Sequence, residues 1–351
     1  MKEKLQLYTP EVRGYCMHAY PLSIIKKDES YYSWLYSNFI QLYCHKDFND
    51  CRVPYNFFIP IQFSKQGNDA EYKYVIDVCS YFFSIPFLDV QKISRNSINE
   101  KNIVDIIKEL INLNNYIIMY VDEYGIPEKK AYRNYHKHHE ILIYGYDDEL
   151  SVFNTIGYKA NDQYGVTDVG YSDFILSYNI ERFKLPFFRN YIYAIKYVER
   201  NCFFDIKTVI SELNKYRYSF ESSNLSFSMY TNDDFVYGFD TYGKLSENII
   251  HNARLNKKVD LRPVYILFEH KNLMLKRLEF IYDKGYISEN SFKYMFEIYK
   301  NIVSLLKNTT NMIIKYNIVK NENIISKVLI NLEKVYKMDF DSVNQLIILL
   351  S

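Results

Sequence analysis

The sequence predicts an α+β fold with a helical C-terminal half. Two observations carry this. Strand signals are confined to the first half, where β-branched and aromatic runs follow an amphipathic helix segment. From about residue 200 the apolar period becomes helical and stays so. The chain is long enough for two units, each with a core. The boundary is placed near residue 190, with a mixed α and β core over 1–190 and a mainly helical region over 191–351.

Taken in order, residues 12–27 hold a short apolar segment (Ala19, Leu22, Ile24, Ile25) that ends in KKDE. A helix beginning near Cys16 is compatible with it, although Pro21 suits only an early helical position. The stretch SWLYSNFIQLYC has helical spacing at Trp34, Leu35, Phe39 and Leu42. Residues 101–113 place Ile103, Ile106, Ile107, Leu110 and Ile111 on one side of a helix. Then come YIIMYV (116–121), a polar loop, EILIYGY (140–146), an Asp147-Asp148 turn and a returning LSVFNTI (150–156). Asp205 is placed to cap a helix through Val209 and Leu213, and Ser288 to cap another through Met295, Tyr299 and Leu306. Residues 262–284 form a third helix closed by Gly285, and a last one runs through Ile325, Val328, Leu332 and Val335.

Composition narrows the function. With 43 Lys plus Arg against 42 Asp plus Glu, no basic footprint for nucleic acid exists. The abundance of Tyr and Phe and scarcity of Gly and Pro fit an A/T-rich coding genome and ordinary core filling. The opening residues lack the apolar core of a secretory signal, and no run reaches the roughly 20 apolar residues of a membrane helix. Five scattered cysteines do not make a disulfide framework, so a reducing cytoplasmic setting and a free thiol are expected.

No phosphate-binding glycine loop, dinucleotide fingerprint or HExxH motif occurs. The run HKHH (136–139) raises a metal question, but no Cys or carboxylate stands at a recognised ligand spacing, and no metal is assigned. Cys16, His139 and Asn154 form a better set. A thiol nucleophile needs a base and benefits from a helix N-terminus. With Asp147 and Asp148 as the two turn residues, Asn154 falls opposite Ile141 and becomes a diagonal neighbour of His139. The order Cys, His, Asn is that of papain-like enzymes, with a separation close to the usual roughly 130–150 residues. His138 is the rival base, and a small buried hydrophobe is the competing reading of Cys16.

The segment HHEILIYGYDDELSVFN resembles the histidine strand of papain-like and bacteriocin-processing cysteine peptidases. With GYCMHAYPLSII, VYGFDTYGKL and LRPVYILFEHKNLMLKRLEFI, nearly the whole chain resembles the butirosin biosynthesis protein H family of acyltransferases. It is also similar to amide-forming enzymes of the closthioamide-assembly type. The resemblance implies a papain-like catalytic core over 1–190, and the need to shield an acyl-enzyme from water suggests that 191–351 is a lid or carrier-docking region. The resemblance also implies transfer of an acyl chain from a carrier-protein phosphopantetheine thioester to a small amine, through an acyl-Cys16 intermediate. No free cofactor is then needed, because the pantetheine arm arrives with the acyl or peptidyl carrier protein.

The upstream Gln of a papain-type oxyanion hole has only Gln6 to represent it. Oxyanion stabilisation is therefore expected from the Cys16 backbone N–H and a further donor. Glu269 and Arg277, on the 262–284 helix with His270, are the expected amine-binding groups of the helical region. Two alternatives stand beside this reading: a peptidase or amidase with water as acceptor, and a binding protein on a degenerate peptidase fold.

Overall fold

In the computed structural model of the chain, residues 1–47, 55–58, 80–98, 102–178, 190–220 and 235–351 are described. In chain order the first elements are β1 (Lys2–Lys4), α1 (Cys16–Ile24), α2 (Glu29–Asn38), β2 (Gln41–His45), β3 (Asn56–Phe58) and β4 (Leu88–Ser94). There follow α3 (Ile103–Asn112), β5 (Tyr116–Asp122), β6 (His138–Asp147), β7 (Val152–Tyr158), β8 (Tyr164–Gly170), α4 (Tyr171–Tyr178) and β9 (Tyr191–Tyr197). The chain continues with α5 (Ile206–Tyr218), β10 (Phe235–Tyr237), α6 (Asp240–Arg254), α7 (Arg262–Asp283), α8 (Glu289–Val319) and α9 (Glu322–Leu350). Among the described residues no helix is long and apolar enough to cross a membrane.

The chain divides into two compact units. The first, Met1–Lys27 with Phe63–Asn201, is built on an antiparallel sheet of order β4-β9-β5-β6-β7-β8, with β1 added to β6. Its core follows from the apolar spacing of α3. Ile103, Ile107 and Ile111 recur every four residues, so they share one helix face. That face is buried with Ile117, Met119 and Val121 of β5, Ile141 and Ile143 of β6, and Phe174 of α4. Each such side chain contributes on the order of 1.5–3 kcal/mol when it leaves water.

The second unit, Asp28–Gln62 with Cys202–Ser351, carries the three-stranded sheet β10-β2-β3 and the long helices α7, α8 and α9. Its caps are those the sequence predicts. The Asp205 carboxylate accepts from Lys207 N–H at the head of α5, and the Ser288 hydroxyl accepts from Ser291 N–H at the head of α8. Gly285, just past α7, has φ +77°, a left-handed conformation that costs glycine least.

Three expectations change. The division is not a single cut near 190. Residues 191–197 are β9, hydrogen-bonded to β4 and β5, and so belong to the first unit. Residues 28–62 belong to the second, where Arg277 of α7 holds the end of α2 by donating to the carbonyls of Tyr36 (2.7 Å) and Phe39 (2.8 Å). The helix expected over 33–44 stops at Asn38, and Gln41–His45 pairs with β3 and β10 instead. The hairpin β6–β7 has a four-residue turn over 148–151 rather than a two-residue one. Asp147 makes that turn by accepting from the N–H groups of Glu149 (3.1 Å) and Leu150 (3.3 Å), and Ser151 closes it at φ 54°.

Candidate active site

Cys16 is the first residue of α1, following Tyr15, whose extended backbone ends the preceding segment. The helix runs unbroken through Pro21 to Ile24, and the sulfur sits at its N-terminal end with Cys16 only 4% exposed.

What surrounds the sulfur is an opening between two strands. The β6–β7 register runs from Asp147↔Val152 to Leu142↔Ile156, with a bulge between Ile143 and Gly145. Beyond Leu142 and Ile156, side chains occupy the backbone groups that a longer ladder would pair. The Tyr20 hydroxyl donates to the Glu140 carbonyl of β6 at 3.1 Å. Lys129 Nζ donates to the Tyr158 carbonyl of β7 at 2.6 Å, and the Tyr158 backbone N–H hydrogen-bonds Cys16. In an extended strand the N–H and C=O of one residue point to the same side. Cys16 and Lys129 therefore lie side by side along the edge of β7, with Tyr20 hydrogen-bonded to Cys16 as well.

His139 enters from the start of β6, where it pairs with Val121 of β5. Cys16 Sγ, a ring nitrogen of His139 and a carboxylate oxygen of Glu140 all lie within 4.8 Å of one another. His139 Nδ1 stands 3.2 Å from the Glu140 carbonyl oxygen, 3.6 Å from Glu140 Oε2 and 3.8 Å from Glu123 Oε1. Three acceptors around Nδ1 favour the tautomer protonated there, which leaves Nε2 as the proton acceptor. Glu123 is itself buried, between Lys137 (3.0 Å) and Lys129 (3.8 Å).

The other members of HKHH have different settings. His136 is bound through Nδ1 to Asp122 Oδ2 at 2.5 Å and stacks on Tyr124 at 4.6 Å between ring centroids. Burial alone would raise the Asp122 carboxyl, but His136 and the backbone N–H groups of Tyr124 and Lys137 hold it below the usual range. His138 pairs with Asp122 along the strand, one position away from His139 and thus on the opposite face.

Burial pushes the Cys16 thiol up to about 12, and the nearby Glu140 charge adds to this. Tyr20, Lys129 and the Tyr158 N–H pull the other way without reversing it. Burial therefore opposes the benefit expected of the helix N-terminus. Burial also lowers Lys129, against the opposing pull of Glu123 and Cys16.

The remaining predicted residues are not brought to this place. Asn154 sits opposite Gly145, not Ile141, six positions along β6 from His139 and so ~20 Å away at the rise of a strand. Its Nδ2 donates to Asp168 Oδ1 at 2.8 Å. The longer turn is the cause, because it moves every partner on β7. The Gln6 side chain is exposed, and its backbone carbonyl accepts from the Tyr116 hydroxyl. Glu269 is 4% exposed and Arg277 fully buried, the latter with its guanidinium on α2 carbonyls, so neither offers a group to an amine at a surface. The site groups that sequence reading missed are Glu140, Glu123, Lys129 and Tyr20. Tyr20, one helical turn after Cys16, is the one whose spacing signalled it.

Comparison with protein-family models and with curated proteins finds no match. The Cys16, His139 and Glu140 atoms also have the spread of a three-donor metal site, and thiolate, imidazole and carboxylate together suit zinc.

Proposed function

We propose that this chain is a cysteine-dependent acyltransferase, with Cys16 as nucleophile and His139 as base, on a papain-like arrangement of helix and sheet. The observation that carries it is the convergence of Cys16, at a helix N-terminus, with His139 and Glu140 inside 4.8 Å. The resemblance to butirosin biosynthesis protein H-like acyltransferases and closthioamide-type amide synthases supports a thioester donor carried on phosphopantetheine and an amine acceptor.

As the thioester carbonyl approaches, the Cys16 proton passes to His139 and the sulfur attacks the carbonyl carbon. The bond to the pantetheine sulfur then breaks, and that sulfur leaves with the proton from His139. The amine attacks acyl-Cys16, His139 takes its proton, and the C–S bond breaks to regenerate the Cys16 thiol. Glu140 and Glu123 orient the ring, the role first expected of Asn154.

The test is intact-mass analysis after mixing the protein with an acyl-pantetheine thioester. An acyl adduct on Cys16 that a small amine discharges as an amide is expected, and Cys16→Ala should lose both. The same adduct on Cys16→Ala, or none on the wild type, would sink the proposal.

Zinc held by Cys16, His139 and Glu140 is the second reading, favoured by the same spread of donors. It predicts that a chelator abolishes activity and that added zinc restores it. The cysteine reading predicts that a chelator changes nothing.

A further inference from the structure

We propose that Lys129, set across Gly157 from Tyr20, is the catalytic group that stabilises the oxyanion formed when Cys16 attacks a carbonyl. The inference rests on the acyltransfer reading and supplies the donor that Gln6 does not.

The Lys129 ammonium has three N–H donors. Among the described residues one is used on the Tyr158 carbonyl at 2.6 Å, while Glu123 at 3.8 Å is an ion-pair partner beyond hydrogen-bonding distance. Donor capacity therefore remains beside the nucleophile, on a side chain that is only 10% exposed. The ammonium and the Tyr20 hydroxyl both close on the bare backbone of Gly157. A Cβ on Gly157 would lie 2.9 Å from the Tyr20 hydroxyl and 3.2 Å from Lys129 Nζ. A side chain at 157 would thus force the ammonium or the hydroxyl aside.

Tyr158 fixes where that ammonium stands relative to the sulfur. Its N–H is directed at Cys16 and its carbonyl at Lys129, so sulfur and ammonium are held by the two ends of one residue. A carbonyl carbon bonded to Cys16 then places its oxygen within reach of Nζ. A fixed positive charge in a water-poor site stabilises the oxyanion far more than it does the neutral carbonyl, which is the condition for catalysis.

The experiment separates two reactions of the same sulfur. Iodoacetamide alkylates Cys16 without forming an oxyanion, whereas an acyl-pantetheine thioester acylates it through one. Lys129→Met should slow acylation about a hundredfold, the loss typical of one oxyanion donor, and leave alkylation within a few-fold. Lys129→Arg, which keeps charge and donors, should recover part of the acylation rate. Gly157→Ala, whose Cβ would push Nζ or the Tyr20 hydroxyl from its place, should show the same split with Lys129 still present. Equal acylation by wild type and Lys129→Met overturns the inference and leaves the Cys16 reading intact. A parallel fall of both rates also overturns it, because Lys129 would then act on the thiol or the fold. No acylation of the wild type removes the Cys16 reading, and this inference with it.

Discussion

At the scale of single residues, the burial of Cys16 governs how the proposed nucleophile would be triggered. A stored thiolate–imidazolium pair reacts with alkylating agents at acid pH, whereas a buried thiol raised to about 12 does not. The alkylation rate of Cys16 should therefore climb steadily between about pH 6 and pH 9, following the thiolate fraction. A flat profile over that range would show a preformed ion pair. Among the histidines, His139→Ala should cost orders of magnitude in acyl transfer. His136→Ala should act chiefly through Asp122, and Asn154→Ala should leave the rate near wild type. A larger loss from His138→Ala than from His139→Ala would place the base on the other face of β6.

At the scale of elements, the hairpin β6–β7 shows what the sequence reveals and what it hides. Both strands were legible from their β-branched and aromatic runs, and α3, α5, α7, α8 and α9 from helical spacing and capping groups. Cys16 and His139 were candidates in the sequence because each has few physical roles open to it, and the fold brings them together. Register was not. It depends on whether Asp147 ends the strand or opens the turn, and that choice rests on two hydrogen bonds to Glu149 and Leu150 with no distinct sequence mark. Asn154 was lost with it. Glu123, Glu140 and Lys129 come from different places in the chain, and only the folded sheet shows that they meet. The same hairpin has a sharp packing constraint at Gly145, where a Cβ would lie 2.7 Å from the Glu3 carbonyl oxygen and 2.8 Å from Asn154 Oδ1. Gly145→Ala should destabilise the protein by about 1–3 kcal/mol, as overpacking does. A denaturation midpoint equal to wild type would show that β1 moves aside freely.

At the scale of the whole molecule, stability depends on polar groups sealed inside the second unit. Asp339 is fully buried and accepts from the hydroxyls of Tyr216 (2.9 Å), Tyr242 (3.0 Å) and Tyr299 (3.3 Å), and it pairs with buried Lys271. Burial lowers Lys271 to about 8 even with Asp339 drawing it back up. Asp339→Asn strands that ammonium and should cost about 3–5 kcal/mol, whereas Asp339→Asn with Lys271→Met removes both charges, keeps an acceptor for the tyrosine hydroxyls and should cost far less. Equal losses in the two variants would show that the charge pair itself matters little. His270 makes stability depend on pH on the acid side. It is fully buried, its Nε2 donates to the Ile40 carbonyl at 2.6 Å, and burial with the charges of Lys271 and Arg277 holds it well below 6.5. The unfolded chain takes up a proton near pH 6.5 that the folded chain refuses. Its contribution is therefore complete above that pH and is lost as the pH falls below it. Thermal unfolding followed downward from neutral pH should fall less steeply in His270→Gln than in wild type, and parallel slopes would count against this assignment.

The backbone N–H of Tyr158, directed at Cys16, turns one peptide group into a reporter of the sulfur. Thiol, thiolate and acyl thioester differ greatly as acceptors, so each should give that amide its own resonance frequency and its own rate of exchange with solvent deuterium. Conversion of a thiol to an acyl thioester removes much of the sulfur's basicity. The Tyr158 amide should then exchange faster in the acyl-enzyme than in the free protein, while amides deep in the β5–β6 ladder keep their protection. The proposed acyl transfer can in this way be followed at a single backbone position, without a chromophore on the substrate.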